Sequence, residues 1–232
     1  RGHDVTVYCR ESYYPEKLKT YLGMKLVYLP NVKKKSLDTI SHTFFSILHA
    51  IRQPYDVYMV CNAANSPVLF IPRLLGKLIV INTDGLEWKR GKWGKLARTY
   101  YKMSERIATI LAHCVVADSR AIRAYYSKEY NCRTTFIPYG ADSSKSDQPA
   151  LLDLYGLKYN NYFLQITRFE PENNPLLTIQ AYKRLKTEKK LVIIGGVPYE
   201  SDYLQSIRAE ADRHPNIILP GSIYDKTILN EI

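Results

Sequence analysis

The chain has 232 residues, 46% of them hydrophobic and 24% charged, with a formal net charge of +11. That length exceeds a typical single domain, and the near-average composition excludes a disordered or fibrous chain. The positive excess points to anionic partners: nucleic acid, an acidic membrane surface or a phosphorylated small molecule.

Arg1-Gly2-His3-Asp4 stands directly before a strand, Val5 to Cys9, with neither Met nor a signal-like segment, so the chain reads as cut at its start. A second strand follows from Lys25 to Leu29, then a basic loop, Lys33 to Lys35. A helix from about Leu37 to Arg52, capped by Ser36, carries Ile40, Phe44, Ile47, Leu48 and Ile51 on one face, as a helix covering a sheet requires. Asp56 to Cys61 is the third strand, with a loop, Asn62 to Ser66, and a short helix after it. Leu78 to Asn82 is the fourth: a continuous apolar run that stops at Thr83-Asp84-Gly85-Leu86-Glu87-Trp88-Lys89-Arg90. Such a run reads as a strand of a parallel sheet buried on both faces, and open parallel sheets bind ligands beyond the carboxyl ends of their strands. The loop gathers two carboxylates, Asp84 and Glu87, and is bracketed by both tryptophans, Trp88 and Trp93. An ion-paired surface turn would also account for that composition.

From Gly94 a helix is expected with Leu96, Tyr100, Met103, Ile107 and Leu111 on its inner face and Lys95, Arg98, Lys102 and Arg106 on another. The basic stripe suits a solvated face or an anionic bilayer. His113 to Ala117, a helix Arg120 to Tyr130 capped by Ser119, and Thr134 to Ile137 complete a first domain, 1–142. The polar stretch Ser143 to Pro149 reads as the boundary.

The second domain, 150–232, runs strand Tyr162 to Thr167, turn Arg168 to Asn174, helix Pro175 to Leu185, strand Lys190 to Ile194, Gly195-Gly196, helix Asp202 to Asp212 and strand Asn216 to Leu219. Only three strands precede Ile232, so this domain reads as truncated. At the turn, Asn174 can cap a helix that Pro175 opens, leaving free N–H groups beside Arg168, whose guanidinium suits a diphosphate unless Glu170 or Glu172 occupies it. Gly195 and Gly196 would let a ligand approach the backbone closely.

Several chemistries lack their motifs. No Gly-x-Gly-x-x-Gly, Walker loop or Gly-x-Ser-x-Gly occurs, against hydride transfer, nucleotide hydrolysis and acyl hydrolysis. The five histidines, including His42 and His49 on a core-covering helix, show no convincing ligand spacing, and no metal site is expected. The four cysteines are far apart and mostly lie in or beside apolar runs, which reads as reduced core thiols in a cytosolic protein. Most of the 20 tyrosines fall inside helical or strand patterns and are not interleaved with basic residues, against a nucleic-acid-binding α/β protein, the non-enzymatic rival.

The blocks Gly2 to Val7, Asp84 to Trp93, Ile137 to Asp142 and Thr167 to Asn174, in that order, resemble the GT-B glycosyltransferases of family 4, most closely the bacterial rhamnosyltransferase-like branch. The resemblance implies an α/β fold of two Rossmann-like domains, an acceptor held mainly by the first and a nucleotide-sugar donor by the second. It implies transfer with retention and without a bound metal or other cofactor. It assigns Arg168 to the donor diphosphate, where Asn173 stands in place of a lysine many relatives carry; Gly195 and Gly196 join them on the donor side. Asp84 is the catalytic candidate, orienting or deprotonating the acceptor hydroxyl, with Glu87, Trp88 and Arg90 shaping the acceptor pocket. The implied partners are a nucleotide sugar, plausibly of rhamnose, and a surface-glycan or prenyl-diphosphate-linked acceptor at an anionic membrane surface. Nucleic acid is not among them. The implied location is cytoplasmic, peripheral on the inner face of the cell membrane. Relative to the family, the first strand with its glycine-rich loop and the glutamate-bearing donor segment lie outside the sequence, so this polypeptide alone is expected to be inactive. A GT-B nucleotide-sugar epimerase is the alternative enzyme on the same fold.

Overall fold

The computed structural model describes residues 2–33, 37–90, 93–141, 146, 148–197 and 199–232. It divides into two units, Arg1–Gly140 and Ala141–Ile232. The expected Ser36 cap, Lys34 and Lys35 of the basic loop, and most of the polar stretch 143–149 lie outside the described residues.

The first unit opens with β1 (Thr6–Arg10), β2 (Thr20–Tyr21) and β3 (Met24–Leu29) in a sheet of order β1-β3-β2. β1 and β3 are parallel, while the short β2, not expected from the sequence, is antiparallel to β3. After α1 (Asp38–Ala50) come β4 (Val57–Cys61), α2 (Phe70–Leu74), β5 (Leu78–Asn82), α3 (Lys95–Leu111), β6 (Cys114–Ala117), α4 (Arg120–Tyr130) and β7 (Thr135–Phe136). These strands form an all-parallel sheet, β4-β5-β6-β7. Parallel pairing needs a crossover between neighbours, and α2, α3 and α4 supply the helical parts. The expected loop after β4 is instead a 3-10 helix, Ala63–Leu69, with Ala63, Ala64, Asn65, Ser66 and Leu69 buried.

β5 lies in the middle of this sheet, which is why its sequence is apolar without alternation. Ile79 and Ile81 are fully buried and share a core with Leu69, Ala108, Ala117, Ile122 and Tyr126. Each large aliphatic side chain so buried contributes about 1.5–3 kcal/mol relative to exposure. α4 starts as expected: the Ser119 hydroxyl accepts the Ile122 N–H at 3.2 Å.

Two helix faces differ from the periodicity reading. In α1 the buried residues are His42, Ser46, Ile47 and Ala50, while Phe44 is 38% exposed. In α3 the buried residues are Ser104, Glu105 and Ala108, while Leu96 is 90% and Met103 52% exposed. The inner face of α3 meets the Ala63–Leu69 helix closely, with Tyr100 donating to the Ala64 carbonyl at 2.7 Å and Ser66 to the Ser104 carbonyl. Small residues are what such a close approach selects, and hydrophobicity alone cannot reveal it.

The second unit contains α5 (Ala150–Asp153), β8 (Tyr162–Ile166), α6 (Pro175–Tyr182), β9 (Lys190–Ile194), α7 (Asp202–Asp212), β10 (Ile217–Gly221) and α8 (Lys226–Glu231). Its sheet, β10-β9-β8, is all parallel with β9 central. Side chains alternate across a strand, and β9 shows it: Leu191 and Ile193 pack with Phe169, Ile179, Leu204 and Ile207, whereas Val192 and Ile194 pack with Leu152 and Leu157.

Candidate active site

In the first unit the site begins at the carboxyl end of β5. Asn82 is buried, and its side chain does two things: its Oδ1 accepts the Asp84 N–H at 3.2 Å and its Nδ2 donates to the Tyr139 hydroxyl at 3.3 Å. The first contact is an Asx turn, which swings the chain out of the strand. Asp84 then adopts a left-handed backbone, φ 56°, a conformation that costs a non-glycine residue energy but that Asp tolerates better than most. The carboxylate is half-buried and makes no hydrogen bond or ion pair among the described residues. A strained backbone carrying an uncommitted acid at a strand end is what functional sites concentrate.

The rest of the loop is tied to itself. Glu87 is buried and pairs with Arg90 at 2.8 Å, and the Trp93 indole N–H reaches its other oxygen at 3.4 Å. Burial, followed by the Glu87 charge, pushes the Tyr101 hydroxyl up to about 12. The indole of Trp88 has the Lys102 ammonium 4.3 Å and the Lys89 ammonium 5.4 Å from its ring centroid, with Tyr125 tilted against it at 6.3 Å. These contacts cover part of the indole ring.

Beneath this loop lies a group the sequence did not single out. Glu105 of α3 is 3% exposed and accepts hydrogen bonds from Tyr125 at 2.8 Å and Tyr130 at 2.7 Å of α4. Burial raises its carboxyl above the ordinary 4.5, against the opposing pull of the two tyrosines and Lys102. Its only sequence signal is a single acid on a basic helix.

In the second unit the strand ends are laced together. Thr167 N–H donates to Ile194 at 2.9 Å, and Gly195 N–H to Gly221 at 2.9 Å. Gly195 has φ 143°, and a Cβ there would stand 1.7 Å from the Thr167 carbonyl oxygen, so the neighbouring strand end itself requires glycine. At Gly196 a Cβ would meet the Ser222 hydroxyl at 3.2 Å. A cavity of about 400 Å³ opens here, lined by Phe169, Gly195, Gly196, Arg208, Gly221, Ser222 and their neighbours.

The Arg168 turn lies at the same strand ends. The Arg168 guanidinium has no ion pair or hydrogen bond among the described residues, because Glu170 accepts instead from the Tyr199 hydroxyl. That bond and burial raise Tyr199 to about 12. Asn173 braces the turn, its Nδ2 donating to the Arg168 carbonyl at 3.1 Å, so its amide faces the turn backbone. Asn174 does not cap α6 as expected: it is left-handed, φ 56°, and its Nδ2 donates to the Glu172 carbonyl at 3.4 Å. Pro175 opens the helix as expected, and the first N–H groups of α6 lack a side-chain cap.

Thus Asp84, Glu87, Trp88 and Arg90 share one loop of the first unit, and Arg168, Asn173, Gly195 and Gly196 one set of strand ends in the second. Among the described residues no three His, Cys, Asp or Glu side chains cluster as a metal site would need. No helix of the described residues is long and apolar enough to cross a membrane.

Comparison with known proteins gives the class of fold. Residues 41–142 match the family described as "Domain of unknown function (DUF1972)". No curated protein matches. Among solved structures, HepE from Anabaena in complex with UDP and glucose is similar at 17% identity and TM-score 0.71, over 89% of this chain and 58% of that one. Sucrose-phosphate synthase from Thermosynechococcus elongatus is similar at 15% identity and TM-score 0.76, over 99% of this chain and 64% of that one. The lipopolysaccharide outer core galactosyltransferase WaaB is similar at 15% identity and TM-score 0.51, over 88% and 54%. The fold is therefore α/β with the Rossmann-like units of GT-B proteins, and the chain spans 58–64% of the length of the first two structures.

Proposed function

We propose that this chain is the greater part of a GT-B glycosyltransferase that uses a nucleoside-diphosphate sugar. The observation that carries the reading is Arg168: a guanidinium with no acid paired to it among the described residues, in a turn that leads to an uncapped helix start and beside a cavity at the strand ends. Paired charge-assisted hydrogen bonds from Arg and the positive end of a helix both favour a diphosphate. HepE, similar in fold, is in complex with UDP and glucose, which supports a donor of this class.

In this reading Arg168 and the first N–H groups of α6 offset the charge that grows on the leaving diphosphate, so the transfer proceeds without a metal. Asp84 orients the acceptor hydroxyl, with Glu87 and Arg90 holding the loop in shape and Trp88 at its side. Gly195 and Gly196 act through the backbone and Asn173 through its side-chain amide, keeping the donor-side turns close. Rhamnose as the sugar, retention at the anomeric carbon, and a surface-glycan or lipid-linked acceptor follow from the sequence resemblance and form the finer part of the proposal.

Calorimetry tests it. A nucleoside diphosphate should bind, single-stranded oligonucleotide should not, and Arg168→Ala should weaken the diphosphate by about 10- to 100-fold, or 1.5–3 kcal/mol, with little change in melting temperature. Equal affinity in the variant would overturn the donor assignment. Assay of the full-length gene product against a panel of nucleotide sugars then separates transfer to an acceptor from epimerisation of the donor.

A further inference from the structure

Glu105 is the one acid of α3, and it is 3% exposed on a helix whose other charged residues are basic and exposed. Burying a carboxylate removes its hydration, and apolar residues would join α3 to α4 at lower cost. What the charge adds is direction. One carboxylate oxygen accepts from Tyr125 at 2.8 Å and from Tyr130 at 2.7 Å, and the two hydroxyls lie 3.4 Å apart, so a single group sets both rings of α4.

The loop above rests on what Glu105 sets. Tyr125 lies against the Trp88 ring at a centroid distance of 6.3 Å, and the Lys102 ammonium, one turn before Glu105 on α3, lies 4.3 Å from the same ring. Glu105 bonds the first and attracts the second: the Lys102 charge pulls the Glu105 carboxyl down against the burial that raises it. Its own polar atom gives Trp88 no such hold, because the indole N–H is buried and makes no hydrogen bond among the described residues. Leu86 packs on the same core as Tyr125 and Tyr130. Between Asp84 and Trp88 the chain is stiff, with the Glu87 N–H donating to the Gly85 carbonyl at 3.1 Å and the Lys89 N–H to the Leu86 carbonyl at 3.0 Å.

We propose that Glu105 is the positioning residue of the loop at 84–90: by orienting Tyr125 and Lys102 it seats Trp88, and the seated Trp88 fixes where Asp84 stands. The functional consequence rests on the reading of that loop as the acceptor side, whereas the seating itself is measured without any substrate.

The chain has two tryptophans, so Trp93→Phe leaves Trp88 as its sole indole. Acrylamide quenching of Trp88 fluorescence is compared in that background, alone and with Glu105→Gln or Tyr125→Phe. The amide keeps the shape and loses the charge; phenylalanine keeps the ring and loses the hydroxyl. Quenching is read well below each melting temperature, with circular dichroism unchanged. Each change should raise the quenching constant, Glu105→Gln by on the order of twofold and Tyr125→Phe by less, because a loop whose seat loosens opens locally. Unchanged quenching of Trp88, whatever the melting temperature does, would overturn the proposal, since Glu105 would then brace only the two helices. If Glu105→Gln does not fold, Tyr125→Phe decides in the same way. In the full-length enzyme Glu105→Gln should raise the acceptor Michaelis constant and lower turnover while the donor Michaelis constant stays as it was. A loosened Trp88 with unchanged acceptor kinetics would uphold the seating and overturn instead the acceptor reading of the loop.

Discussion

The loop after β5 and the turn after β8 occupy equivalent places, each at the carboxyl end of a parallel strand, yet they spend their polar groups differently. In the first, Glu87, Arg90 and Trp93 bind one another, Trp88 holds Lys102, and the Asp84 carboxylate has no hydrogen bond or ion pair among the described residues. In the second, the backbone and amides brace the turn while the Arg168 guanidinium has no ion pair or hydrogen bond among the described residues. A site needs both rigidity and an unspent group, and here the unspent group is an acid in one unit and a base in the other. Self-satisfied residues hold shape; only the uncommitted ones can change partner when a ligand arrives.

The largest expected effect tests whether the second site rests on the backbone. Gly195→Ala forces a Cβ against the Thr167 carbonyl in a conformation L residues rarely adopt, and should destabilise the second unit by on the order of 3 kcal/mol or more. Urea unfolding followed through that unit measures it. A normal midpoint would mean that the strand ends relax, and that Gly195 serves the ligand rather than the fold.

Asp84→Asn tests whether the unpaired acid of this loop is chemical. In the full-length enzyme turnover should fall on the order of 10²-fold with donor affinity nearly intact, because amide and carboxylate share a shape but not a charge. A variant that melts lower and raises the acceptor Michaelis constant, at normal turnover, would reduce Asp84 to a brace like its neighbours. Arg90→Ala sharpens the contrast from the other side. It leaves Glu87 buried without its ion pair, and should cost about 1–2 kcal/mol, visible as a lower melting temperature. Turnover lost without any loss of stability would place Arg90 on the acceptor instead.

Much of this architecture is legible in the chain itself. The run Leu78 to Asn82 can satisfy its apolar side chains only between two layers, and Ser119 before a helical pattern can hardly avoid capping it. The polar turn that ends at Pro175 is legible because residue type and order suffice there. What periodicity misses is where two elements approach too closely for large side chains. Ser104 and Ala108 face inward on α3 because the Ala63–Leu69 helix lies against them, and that contact turns Leu96 and Met103 outward. Glu105 reads as one more surface acid until Tyr125 and Tyr130 of α4 close over it.

Sequence by itself determined the strand and helix content, the repeated crossover units and the two polar turns, since these follow from local pattern and from what a buried backbone must do with its hydrogen bonds. Tertiary structure alone decided which charges remain free. Whether Glu87 meets Arg90 or a sugar, whether Glu170 meets Arg168 or Tyr199, and whether glycine at 195 serves a ligand or the carbonyl of Thr167 depend on distances between residues brought together by folding. Local preference is set by each residue's own backbone and neighbours, whereas the partner of a charge is set by geometry that only the packed chain defines.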